Sequence, residues 1–151
     1  MSDLLRVIPD VNVLVRVLAG RGAPLRLWRH FLRGEVRFVV STELLSEVQR
    51  VLSYPRVLGL GTGITPGAAF TLAVELLTLS EHNPSVRRLE WPSLSDRKDW
   101  YLLDLLWASS ADALLTEDRR VLEAGAALGL PVLTPSNFLA LGHLPPLEDE
   151  P

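Results

Sequence analysis

Short apolar runs rich in β-branched residues alternate along this chain with longer segments of helical periodicity. That alternation restricts the fold more than any other feature. Strands are read at Leu4–Pro9, Arg37–Val40, Ser85–Leu89, Ala113–Leu115 and Pro131–Leu133. Helices are predicted over Val11–Leu18, Leu25–Arg33, Ser41 or Thr42 to about Ser53, Thr65–Ser80, Asp96 to about Ala108, Asp118–Leu128 and Pro135–Leu141. Gly20, Gly22, Gly34 and Gly129 stand where helices should stop, and Pro24 stands at the expected first position of the second helix. Strands separated by helices cannot pair as tight hairpins, so the expectation is a parallel sheet covered by helices on both faces. At 151 residues the chain is expected to form one domain over 1–143. An acidic tail follows at 144–151, carrying Glu148, Asp149 and Glu150.

Four acids stand where apolar runs give way to helices: Asp10 in VIPDVNVLV, Glu47 in STELLSEVQRVL, Asp99 in SDRKDW and Asp118 in LLTEDRRVL. Each has a plain reading by itself. Asp10, Asp96 and Asp118 precede predicted helices, where aspartate caps free N–H groups and favours the dipole. Glu47 has Arg50 at i+3, a common surface pairing. Parallel strands, however, deliver their C-terminal ends to one edge of a sheet, and sites form there at a switch in strand order. Carboxylates gathered at that edge repel one another unless they share a cation or a proton. With no cysteine and only three histidines, the available donors are oxygens, which suits Mg²⁺ or Mn²⁺.

The absence of cysteine excludes disulfides, a thiolate nucleophile and a zinc–thiolate site. The opening MSDLLRVIPD does not read as a secretory signal, and no apolar run reaches the ~20 residues of a membrane span, so a cytoplasmic location is expected. The net charge of −3 averages unlike surfaces. Lys98 is the one lysine, so the positive charge is almost all arginine, whose planar fork suits phosphate. Arg26, Arg29 and Arg33 share one face of their helix, and Arg119 and Arg120 follow Asp118. These five are candidate contacts for a phosphate backbone.

The segments VIPDVNVLV, VVSTELLSEVQRVL, SDRKDWYLL, ADALLTEDRRVL and LPVLTPSNFL resemble, in order and spacing, the PIN-domain ribonucleases. They are most similar to the branch regarded as toxins of type II toxin–antitoxin pairs. The resemblance implies a three-layer α/β/α sandwich around a mainly parallel sheet of four to five strands. It implies RNA cleavage dependent on one or two Mg²⁺ or Mn²⁺ ions, leaving a 5′-phosphate and a 3′-hydroxyl. It also implies a homodimer and an antitoxin partner. Matched by position, Asp10, Glu47, Asp99 and Asp118 are the acids expected to bind metal and to be catalytic. Asn12, Ser41 and Thr116 fall at supporting positions. Asp96 reads either as a fifth ligand or as a cap, and Glu43 stands one turn before Glu47 on the same face. A rival reading is a catalytically silent PIN-like module that binds protein or RNA. A haloacid-dehalogenase-type phosphatase fits poorly, because Asn12 stands where that chemistry needs a second aspartate.

Overall fold

The structure is a computed structural model, and it describes residues 4–58 and 63–147. The glycine-rich stretch 59–62 and the acidic residues 148–150 of the expected tail lie outside them. Five strands form one all-parallel sheet: β1 Arg6–Pro9, β2 Arg37–Ser41, β3 Glu81–Asn83, β4 Ala113–Leu115 and β5 Val132–Leu133. Their order is β3-β2-β1-β4-β5. The chain thus winds outward from β1 through β2 to β3, then crosses back to β4 on the other side of β1. The switch point lies between β1 and β4, which pair Val7 with Ala113, Ile8 with Leu114 and Pro9 with Leu115.

Among the described residues seven α-helices cover the sheet: α1 Val11–Leu18, α2 Gly22–Leu32, α3 Thr42–Leu52, α4 Pro66–Leu79, α5 Trp100–Ser109, α6 Arg119–Leu128 and α7 Pro135–Ala140. Crossovers between parallel strands are right-handed, so connections running in opposite directions fall on opposite faces. Accordingly α1 to α4 associate with one another while α5 lies on β1, β2 and β4, and the result is a three-layer α/β/α sandwich. Val7, Ile8, Phe38, Val39, Val40, Leu114 and Leu115 are almost completely buried, as expected for strands covered on both faces. Phe38 also stacks on Phe31 at 4.1 Å between ring centroids, fixing α2 against β2. Among the described residues no helix is long and apolar enough to cross a membrane.

Two sequence expectations change. The third strand is not Ser85–Leu89 but Glu81–Asn83. Its register on β2 pairs Val39 with Glu81, Val40 with His82 and Ser41 with Asn83. Ser41 then turns to cap α3, so no partner edge remains beyond Asn83. Pro84, which lacks an N–H, follows at once. Residues 84–96 therefore form a long loop. The second helix begins at Gly22, with Pro24 inside its first turn rather than opening it. First-turn N–H groups have no partner within the helix, so proline is tolerated there.

Candidate active site

The switch point is held by a compact set of hydrogen bonds. The Asp10 N–H donates to the Leu115 carbonyl at 2.9 Å, carrying the β1–β4 pairing past the end of β1. Asp10 is then the N-cap of α1, with Oδ1 accepting the Val11 N–H at 2.7 Å. Its Oδ2 accepts the Thr116 hydroxyl at 2.6 Å and the Asn12 amide at 3.2 Å. Thr116 Oγ1 in turn accepts the Asp118 N–H at 3.0 Å, and Asn12 Oδ1 accepts the Glu117 N–H at 3.2 Å. Asp10 and Thr116 are buried. Burial pushes the Asp10 carboxyl above the usual carboxylate range. The bonds from Thr116, Val11 and Asn12 oppose that rise, and the charge of Asp118 adds to it.

Asp118 caps α6 through the Arg120 N–H at 2.9 Å. Asp96 caps the 3₁₀ turn Arg97–Asp99 through the Lys98 N–H at 3.0 Å. Capping is therefore literally correct for Asp10, Asp96 and Asp118, and it leaves each of them at the same edge of the sheet. Asp99 differs. It enters α5 without capping it. Burial and then the charges of Asp10, Asp96 and Asp118 push its carboxyl up to about 6, with Arg120 opposing. Four acids thus act on one another electrostatically.

Glu47 is half-buried and is gripped by Arg50 through Nε at 2.8 Å and Nη2 at 2.6 Å. Tyr101 links it to the others. Burial raises the phenol far above its ordinary value, and the charges of Asp10, Glu47 and Asp99 raise it further, so it remains an O–H donor. Tyr101 was not among the residues the sequence singled out; the available signal was one phenol, two residues after Asp99, in a helix whose only other polar group from Trp100 to Trp107 is Asp104. Ser41 is buried and caps α3 through the Leu44 N–H at 3.1 Å. Asp104 is buried and accepts the Leu89 N–H and the Trp91 indole N–H.

The arginines divide. Arg120 and Arg50 act on the acidic group. Arg33 follows α2 and pairs with Glu35 just before β2 begins, at the opposite end of the strands from Asp10. Arg26 lines a cleft of about 270 Å³ between α2 and α7, and Arg29 lies on the same helix. Arg119 is exposed at the start of α6.

As donors, four aspartates and a glutamate suit a hard divalent ion, and the mutual charge on Asp99 is what such an ion would relieve. Among the described residues no three acids or histidines already stand close enough to hold one. The group is crowded in charge but open in geometry, and Glu47 faces its arginine.

A family model described as PIN domain matches residues 6–120, a stretch that contains every one of these acids. No curated protein matches the sequence.

Proposed function

Because the chain belongs to the PIN-domain family, whose members are generally nucleases that use divalent metals, we propose that it is a metal-dependent endoribonuclease. The observation that carries this reading is the half-buried Asp99, pushed up to about 6 beside Asp10, Asp96 and Asp118 at the sheet's switch point. Asp10, Asp99 and Asp118 would hold one or two Mg²⁺ or Mn²⁺ ions, with Glu47 recruited from Arg50 and Asp96 in reserve. A bound ion supplies water activated for attack on phosphorus and offsets charge on the phosphate oxygens.

The remaining work falls to the chain. Thr116 and Asn12 fix both the position and the orientation of the Asp10 carboxylate. Tyr101 keeps its proton and offers an O–H to a phosphate oxygen. Arg120, beside Asp99, attracts the RNA backbone. In-line attack then leaves a 5′-phosphate and a 3′-hydroxyl. We further propose, on the resemblance alone, a cytoplasmic toxin that acts as a homodimer and is silenced by an antitoxin. The exposed apolar stripe Phe70, Val74 and Leu77 on α4 supports a face covered by protein.

The test is cleavage of labelled RNA with Mn²⁺, with and without EDTA, alongside Asp10→Asn. Cleavage abolished by both is expected; cleavage that survives both would refute the metal–carboxylate reading. The Glu47–Arg50 ion pair favours one rival, a PIN fold retained as a non-cleaving interaction module. That reading requires RNA to stay intact at every metal concentration.

A further inference from the structure

The loop 84–96 is long for a connection in a compact domain, and loops of that length without secondary structure are usually functional. It is also pinned. Asp104 Oδ1 accepts the Leu89 N–H at 2.9 Å and the Trp91 indole N–H at 2.8 Å. Leu94 is buried, and its carbonyl accepts the Trp100 indole N–H at 2.7 Å. The pinned loop and the start of α5 enclose a cleft of about 250 Å³. Arg88, Arg97 and Lys98 border it, Trp100 and Tyr101 form its wall, and two acids, Asp104 and Glu43 of α3, belong to its lining.

Three properties of this cleft point the same way. Its cations make no ion pair among the described residues, although the chain as a whole is acidic, and the one lysine of the sequence is here. The Arg97 guanidinium lies 5.4 Å from the centre of the Trp100 ring, a cation–aromatic pair that leaves its N–H groups available. Lys98 and Tyr101, which flank Asp99 in the chain, both line the cleft, so the cleft adjoins the acidic group.

We propose that this cleft is a subsite for one nucleotide of single-stranded RNA next to the phosphodiester that is cut. The proposal rests on the nuclease reading above. Arg88, Arg97 and Lys98 take the phosphate, and the base lies against Trp100 and Tyr101. The second carboxylate oxygen of Asp104, which has no partner among the described residues, accepts an N–H from the base edge. A base can enter only when unstacked from a duplex, so the subsite selects single strands. The loop is thus a fixed element of substrate binding, and Arg88, Arg97 and Lys98 carry that role rather than the α2 arginines.

The experiment separates binding from cleavage. The full chain carrying Asp10→Asn is titrated, without divalent ions, against a short fluorescein-labelled single-stranded RNA over a range of NaCl concentrations. Adding Arg88→Gln/Lys98→Gln should weaken binding about ten-fold and flatten the salt dependence by about 1.4 in log–log slope, two contacts at ~0.7 each. A charge-matched control, Arg16→Gln/Arg21→Gln, changes neither the cleft nor its loop and should preserve the slope. Trp100→Leu should weaken single-strand binding with the salt slope unchanged, and circular dichroism establishes that each variant is folded. Equal loss in the control pair overturns the proposal, as does equal affinity for a duplex of the same sequence. In the cleaving protein, Arg88→Gln/Lys98→Gln should raise KM with kcat retained. If the parent cleaves RNA but the cleft variants bind normally, the subsite is wrong and the nuclease reading stands. If nothing is cleaved yet the cleft variants lose single-strand binding, the nuclease reading is wrong and the subsite stands.

Discussion

Asp99→Asn should make the metal-free protein more stable at neutral pH, and by a calculable amount. The carboxyl is raised from 3.8 to about 6 by burial and by Asp10, Asp96 and Asp118. A folded-state value above the unfolded one means the folded protein holds the proton more tightly. The associated stability is complete below about pH 3.8 and is lost as pH climbs through about 6. At ~1.36 kcal/mol per pH unit the full rise corresponds to ~3 kcal/mol. Asp99 is only half-buried, and solvent screening reduces the figure to on the order of 1–2 kcal/mol. Asparagine has the same shape and no charge, so it removes that penalty. For a domain of this size the gain amounts to about 3–6 °C in Tm.

Thermal unfolding in EDTA should therefore give coincident curves for parent and variant near pH 4 and separated curves above about pH 7. Added Mn²⁺ should raise the parent's Tm more than the variant's, since an ion that binds only the folded state stabilises it. A variant that is less stable at neutral pH, or displaced equally at both pH values, would refute the claim that like charges crowd Asp99.

Three further outcomes are expected. Thr116→Val keeps the shape of the side chain but deprives buried Asp10 of its 2.6 Å donor and the Asp118 N–H of its acceptor. Urea denaturation should show a loss of about 1–3 kcal/mol, and an unchanged midpoint contradicts the proposed lock between β1 and β4. Gly125→Ala places a Cβ 2.3 Å from Val132 Cγ2 and 2.5 Å from its Cβ. The forced separation of α6 from β5 should cost about 1–3 kcal/mol in the same assay, whereas Gly67→Ala, with nothing within 4 Å, should cost none. Arg50→Ala frees Glu47 from a half-exposed ion pair. Calorimetric titration should show Mn²⁺ bound about two- to five-fold more tightly, the equivalent of ~0.4–1 kcal/mol, and weaker binding would remove Glu47 from the ligand set.

The capping rule and the site hypothesis compete for the same aspartates in the sequence, and the structure shows that the competition was false. Asp10, Asp96 and Asp118 cap because a helix starts where a parallel strand ends, and that place is also where a site forms. Position along the chain could therefore single them out, and likewise the Glu47–Arg50 pair at i+3. Ser85–Leu89 misled because a short segment with β-branched Val86, lying between two helical patterns and following Pro84, reads as a strand in isolation. Whether residues form a strand depends on an available edge, and β2 had already ended. The arginine face of α2 had the same weakness: helical spacing says which residues share a face, not which end of the sheet that face reaches.

By itself the sequence determined that strands and helices alternate, that the sheet is parallel and that acids follow strand ends. These follow from local periodicity, capping preference and the length of the connections, all short-range properties. Tertiary structure alone decided that β4 returns beside β1, so that Thr116 donates to Asp10 across 106 residues of chain. It alone placed Tyr101 among Asp10, Glu47 and Asp99, and laid the 84–96 loop against α5 on a buried Asp104. Strand order, burial and electrostatic proximity arise from packing the whole chain at once, and no window of sequence contains them.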